Sequence, residues 1–175
     1  MPPRTDRTAP ETLDDGELRE LGLAVGFCEL AGVVPGLLTA DDVSEWYPAL
    51  EKPPKTPPGW VFPPVWTVLF ATMGVAWHLV RRDRTANPRR KRRAERAFLL
   101  QLALNALWSL VFFGRRSTLG GLVVIASLGP AIAVTIAAFA RIDRRAALLL
   151  VPYLCWVAFA TTLNYGLWKR NHGRE

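Results

Sequence analysis

Four stretches of this chain contain no Asp, Glu, Lys or Arg: Val61 to Val80, Ala97 to Gly114, Ser117 to Ala140 and Ala146 to Trp168. Each approaches the roughly 20 residues that a helix needs to cross a hydrocarbon layer about 30 Å thick. A fifth stretch, Leu21 to Ala40, is interrupted only by Glu29. The pattern predicts an all-α integral membrane bundle of five transmembrane helices at about residues 21–40, 61–80, 97–114, 117–140 and 146–168, forming one domain over residues 21–172. Residues 1–20 are polar, contain Pro2, Pro3 and Pro10, and read as a disordered tail without a function of its own.

Read at steps of three and four residues, three of the spans carry an unusual face. The second presents Trp66, Phe70, Met73 and Trp77, the third Gln101, Asn105, Trp108 and Phe112, and the fifth Tyr153, Trp156, Ala160, Leu163 and Asn164. An amide left unpaired in hydrocarbon costs several kcal/mol, so Gln101, Asn105 and Asn164 are expected to face the bundle interior. A cavity lined by indoles and a few amides suits a flat apolar ligand with polar edges. The same faces are also compatible with plain packing and interhelical hydrogen bonding.

The connection between the first two spans adds to this. From Trp46 to Trp66 the chain holds seven prolines and four tryptophans or tyrosines. Proline cannot continue a helix interior and pushes the residue before it toward extended geometry, which predicts a stiff, irregular loop. Trp and Tyr favour the membrane interface. The reading is a preformed mouth at headgroup depth.

Charge changes the picture in one respect. The net charge of +7 and the run Arg89-Arg90-Lys91-Arg92-Arg93 resemble a phosphate-binding patch. Topology accounts for them better: one side of the predicted bundle collects 15 Lys and Arg and the other 7. By the positive-inside rule the N-terminus is cytoplasmic and the loop 41–60 lies on the opposite side, so no nucleic-acid partner is expected. No cleaved targeting peptide is apparent. Cys28 and Cys155 read as packing residues within spans. Glu29, inside the first span, is expected to face the interior and take a partner or stay neutral. His78 and His172 are read as interfacial, and no metal site, catalytic nucleophile or acid/base pair is expected.

WYPALEKP, PPGWVFPPVWTVLF, QLALNALWSLVFFG and PYLCWVAFATTLNYGLW resemble, in order and over about residues 20–172, the TspO/MBR family of tryptophan-rich sensory and translocator proteins. The resemblance implies a five-helix bundle, commonly a homodimer, in a bacterial envelope membrane or the mitochondrial outer membrane. It implies porphyrin ligands such as protoporphyrin IX and haem, with cholesterol as a further ligand in animal members, and no required cofactor. Carried over by motif, Tyr47 would lie at the mouth, Trp66 and Phe70 would line the pocket from the second span, Asn105 would be its polar contact, and Trp156, Ala160 and Leu163 would complete it. Lys55 stands where the family's loop usually has a tryptophan, and cannot stack as an indole does. Leu163, Tyr165 and Lys169 fit a short sterol-contact pattern. The expected function is a membrane receptor or sensor for tetrapyrroles, with lipid and the ligand as partners. A light- and oxygen-dependent porphyrin-degrading enzyme and a porphyrin or sterol transporter are the alternatives.

Overall fold

The computed structural model describes residues 14–172. Helix α1 (Asp15–Leu38) starts where the Asp14 carboxylate accepts the backbone N–H of Glu17 at 2.7 Å, with Asp15 and Glu17 complementing the dipole of the first turn. It gives way at Thr39 to α2 (Ala40–Ala49), whose first turn holds Asp41 and Asp42. After a short turn at Gly59–Val61, α3 (Phe62–Arg82) opens on Pro63 and Pro64, where a missing N–H donor has no intrahelical partner to lose. Helix α4 (Pro88–Ser109) is capped by Asn87, which accepts from Arg89 N at 2.9 Å, and widens into a π-helical turn at Leu110–Gly114. Helix α5 (Thr118–Ala140) is capped by Ser117. Helices α6 (Arg144–Leu149) and α7 (Val151–Asn171) form one long span with a break at Leu150, just before Pro152.

Five segments are long and apolar enough to cross a membrane: α1, the Gly59–Arg82 stretch, α4 with its π turn, α5, and α6 with α7. Among the described residues there is no strand. The protein is an all-α bundle with the composition of a multi-pass membrane protein, as the charge-free stretches predicted. Helix α1 packs on α3 and α4, α4 on α5, α5 on α6 and α7, and α3 on α6, so the spans close into a ring.

The helices outrun the apolar stretches that announced them. Helix α1 begins at Asp15 instead of Leu21, α4 at Pro88 instead of Ala97, and α7 continues to Asn171. Absence of charge measures the lipid-facing length, whereas helix ends are set by caps, and Asp14 and Asn87 extend the helices past the hydrocarbon. Of the expected tail, Asp15 to Glu20 are helical, and residues 1–13 lie outside the described residues. The loop 41–60 is also more regular than its prolines suggested, because α2 occupies its first half and Pro48 falls in the last turn of that helix.

The spans seal tightly at the end carrying the arginines. Ala76, Val80, Ala94, Phe98, Phe139, Ala146, Ala147 and Leu150 are all buried there in one continuous core. Small side chains let α3 and α6 approach closely. Farther along α3, a Cβ on Gly74 would sit 2.5 Å from the backbone Cα of Val25, so α1 and α3 touch main chain to main chain.

Candidate ligand site

The break before Pro152 divides the fifth span into two parts with different neighbours. Proline removes one backbone donor and clashes with the preceding turn, so it separates α6, which packs on both α5 and α3, from α7, which packs chiefly on α5. Toward the loop end, the seam between α3 and α7 is filled by rings. Trp66 stacks on Phe70 at 5.5 Å between centroids and meets Tyr153 edge-on at 6.2 Å, while Phe62 meets Trp156 at 6.0 Å.

Helix α4 closes the seam from the opposite side with amides and an indole. The Asn105 side-chain N–H donates to the Tyr153 hydroxyl at 2.9 Å in a fully buried pair. One helical turn toward the loop end, Trp108 Nε1 donates to Asn164 Oδ1 at 3.2 Å, and the Asn164 amide donates to the Ala160 carbonyl at 2.9 Å. One turn the other way, Gln101 offers its amide N–H to Met73 Sδ at 3.9 Å and leaves its buried Oε1 without a partner. The indole N–H of Trp156 is likewise buried and unpaired. Rings and amides line one seam, with one unused donor and one unused acceptor.

The mouth lies over the loop end of this seam and is pinned at both sides. Trp46 and Tyr47 of α2 rest on Phe112 at 5.5 and 6.3 Å, and Tyr47 also meets Phe113 at 5.7 Å. The π turn keeps Phe112 inward and stacked on Trp108 at 5.5 Å. Arg116, in a left-handed conformation with φ 50°, directs both Nε and a terminal guanidinium nitrogen to Asp42 at 2.8 Å. On the other side Asn171 acts as a latch: its Oδ1 accepts from Glu51 N at 3.0 Å and its Nδ2 donates to Glu51 O at 3.1 Å. Pro53 packs into the space left by Gly166. Lys52 sits over the Tyr47 ring, 4.8 Å from its centroid, and donates to the Pro48 carbonyl at 3.1 Å. Burial pushes the Tyr47 phenol above its ordinary pKa.

Of the residues singled out in the sequence, Phe70, Asn105, Ala160 and Leu163 are buried, and Trp66 and Trp156 are half-buried at the α3/α7 seam. Tyr47 is connected to them through Phe112 and Trp108. Trp77 belongs elsewhere, stacked on Phe98 at 5.3 Å toward the arginine-rich end. Leu163 faces inward, whereas Tyr165 and Lys169 are exposed on the outside of α7, so these three do not share one surface. Lys55 is exposed in the turn after α2. Glu29 is half-buried and makes no hydrogen bond or ion pair among the described residues, so of the two expectations, a partner or a neutral carboxyl, the first is not met. His78, one turn before the end of α3, is buried in the bundle. Sequence reasoning missed Asn171 and the Asp42–Arg116 pair, whose partners are 120 and 74 positions away. It placed Tyr153 on the right face without making it a site residue. The Tyr153 hydroxyl, one of few polar atoms on an apolar span, was the available signal.

These features define a class: a five-span membrane protein with an aromatic, amide-lined interior under a pinned lid. The profile of the TspO/MBR family matches residues 24–169, and the chain belongs to that family. It is 42% identical over 158 residues to the tryptophan-rich protein TspO of Chlorobaculum tepidum, covering 89% of this chain and 98% of the relative. Identity to the human translocator protein is 41% over 128 residues, 73% of this chain and 76% of the relative. Against the tryptophan-rich sensory protein of Cereibacter sphaeroides it is 37% over 147 residues, covering 84% and 88%.

Proposed function

We propose that this protein is a membrane receptor for flat tetrapyrroles, of which protoporphyrin IX and haem are the ligand class, and that it holds them in the seam between α3, α4 and α7. The observation that carries the reading is how the seam is closed. Rings and two amide-centred hydrogen bonds fill it, Asn105 to Tyr153 and Trp108 to Asn164, so it can part by side-chain rotation without breaking a helix. A porphyrin inserted there would replace ring-on-ring contacts with ring-on-macrocycle contacts, and the Trp156 N–H and Gln101 carbonyl supply unused polar groups for its edge. Relatives named as sensory and translocator proteins support a binding role. The outward placement of Tyr165 and Lys169 leaves the sterol pattern outside this proposal.

The test is a titration in the dark of detergent-purified protein with protoporphyrin IX, following ligand absorbance and tryptophan emission. Saturable binding is expected, and Trp156→Ala and Asn105→Ala should each weaken it about tenfold, the equivalent of about 1.4 kcal/mol. Saturable binding that survives both substitutions would remove the seam as the site.

A further inference from the structure

At the arginine-rich end, α4 carries a second feature that the tetrapyrrole reading does not use. Arg89, Arg92, Arg93 and Arg96 fall at i, i+3, i+4 and i+7, which places them on one face of the helix, and together they line a groove of about 160 Å³. None of the four has an ion pair or a side-chain hydrogen bond among the described residues. Among the carboxylates at this end, Asp83 accepts from Thr85 N and Oγ1 at 2.7 Å and from Ala86 N at 3.0 Å, and Glu17 lies 3.9 Å from Arg82. Glu95 lines the adjoining groove with Asp83, Lys91 and Arg92. Guanidinium groups this close together repel one another unless an anion lies between them.

The same face continues down the helix as an apolar strip. Leu99, Leu100, Ala103, Leu107 and Leu110 follow at the same three- and four-residue steps, all of them exposed. A positively charged groove thus stands above an exposed hydrocarbon-compatible track on one helix face.

We infer that this face of α4 is a binding site for an anionic phospholipid with two phosphates in its headgroup, the phosphates lying among Arg89, Arg92, Arg93 and Arg96 and the acyl chains along Leu99, Leu100 and Leu107. Arginine's planar fork donates to phosphate oxygens in pairs, and four forks exceed what one phosphate can accept. Basic pockets at the ends of membrane helices bind headgroups of this chemistry. An acyl chain is the complement that a nucleic acid or a free phosphate lacks. The site is independent of the tetrapyrrole seam.

Native mass spectrometry of the full chain in neutral detergent tests this, with cardiolipin as the two-phosphate probe, phosphatidylglycerol as the one-phosphate probe and phosphatidylcholine as the zwitterionic control. Cardiolipin is expected to bind at least tenfold more tightly than phosphatidylcholine and more tightly than phosphatidylglycerol. The quadruple variant Arg89→Gln, Arg92→Gln, Arg93→Gln, Arg96→Gln should lose that preference. A control variant at the same end of the bundle, Arg141→Gln, Arg144→Gln, Arg145→Gln, should keep it. Equal loss in both variants would reduce the effect to diffuse charge and overturn the site. So would a short DNA duplex displacing cardiolipin in proportion to its charge, or the deacylated headgroup binding as tightly as the lipid. Circular dichroism of both variants separates loss of the site from loss of the fold.

Discussion

The two ends of the bundle use the same helices in opposite ways. Toward the arginine-rich end α3 packs on α6, and the small side chains Ala76, Val80, Ala146 and Ala147 are buried in the core there. Toward the loop end α3 faces α7 through Phe62, Trp66, Tyr153 and Trp156, rings large enough to hold two helices apart. Close backbone approach makes a seam rigid, since nothing can part it without moving a whole helix. Ring-filled seams depend on rotamers, and rotamers can change. The difference teaches that the seam opening proposed above would require no flexible backbone, only a division of the fifth span before Pro152.

Two glycines at the contact between α1 and α3, Gly74 and Gly32, test that contrast most strongly. At Gly74 an added Cβ meets Val25 backbone at 2.5 and 2.8 Å, and backbone cannot give way. Gly74→Ala should therefore lower the unfolding free energy by about 1–3 kcal/mol, read as a fall in thermal midpoint in detergent. Gly32→Ala also overlaps a neighbour, but that neighbour is the Phe70 ring, which can swing within the ring-filled seam. A distinctly smaller loss of stability is expected, with a shift in porphyrin affinity instead. Equal losses of stability at the two positions would break the comparison, because the loop end would then be as rigid as the other.

A smaller effect is expected at the lid. Asn171 holds the Glu51 backbone by two hydrogen bonds and also caps Leu167 O at 2.8 Å. Asn171→Ala should cost about 1–2 kcal/mol, spent locally on the connection after α2 and hardly at all on the sealed end. Backbone amide exchange over residues 50–58 should accelerate while exchange in α6 stays unchanged. If α6 were to accelerate as well, the two ends would be one cooperative unit.

The two ends were not equally legible in the sequence. The spans themselves were, because absence of charge over some 20 residues has one physical explanation in a chain of this composition. The interior faces were legible because an amide such as Asn105 in hydrocarbon must turn inward, and helical spacing then places Trp108 and Gln101 beside it. Helix α2 was hidden by its prolines, although the Thr39-Ala40-Asp41-Asp42 run, with its two acids in the first turn, was the signal for a helix start. The Asn171 latch and the Arg116 to Asp42 pair depend on partners far away along the chain, and no local pattern encodes them. Leu163, Tyr165 and Lys169 show the reverse case, a local pattern whose residues differ in burial. A pattern written along the sequence ignores that residues two apart on a helix point to different sides.

The smallest effect concerns the phenol of Tyr47, which couples the lid to pH. Burial beside Phe112 and Phe113 disfavours the phenolate, so its pKa in the folded protein lies above the ordinary value of 10.0. Once the lid is undocked the phenol titrates near 10. Below that pH both states hold the proton and Tyr47 contributes no pH dependence. As pH rises past 10, the undocked state loses its proton first and therefore binds fewer protons than the docked state, so docking weakens with rising pH. Tyrosinate absorbance, compared between the wild type and Tyr47→Phe, isolates this residue from Tyr153 and Tyr165. The Tyr47 component should have its midpoint above 10 and should coincide with faster proteolysis of the 50–58 connection, an acceleration that the phenylalanine variant lacks. A midpoint at or below 10 would mean that the ring is solvated and that α2 does not seal the mouth. The asymmetry between the two ends would then rest on the α3/α7 seam alone.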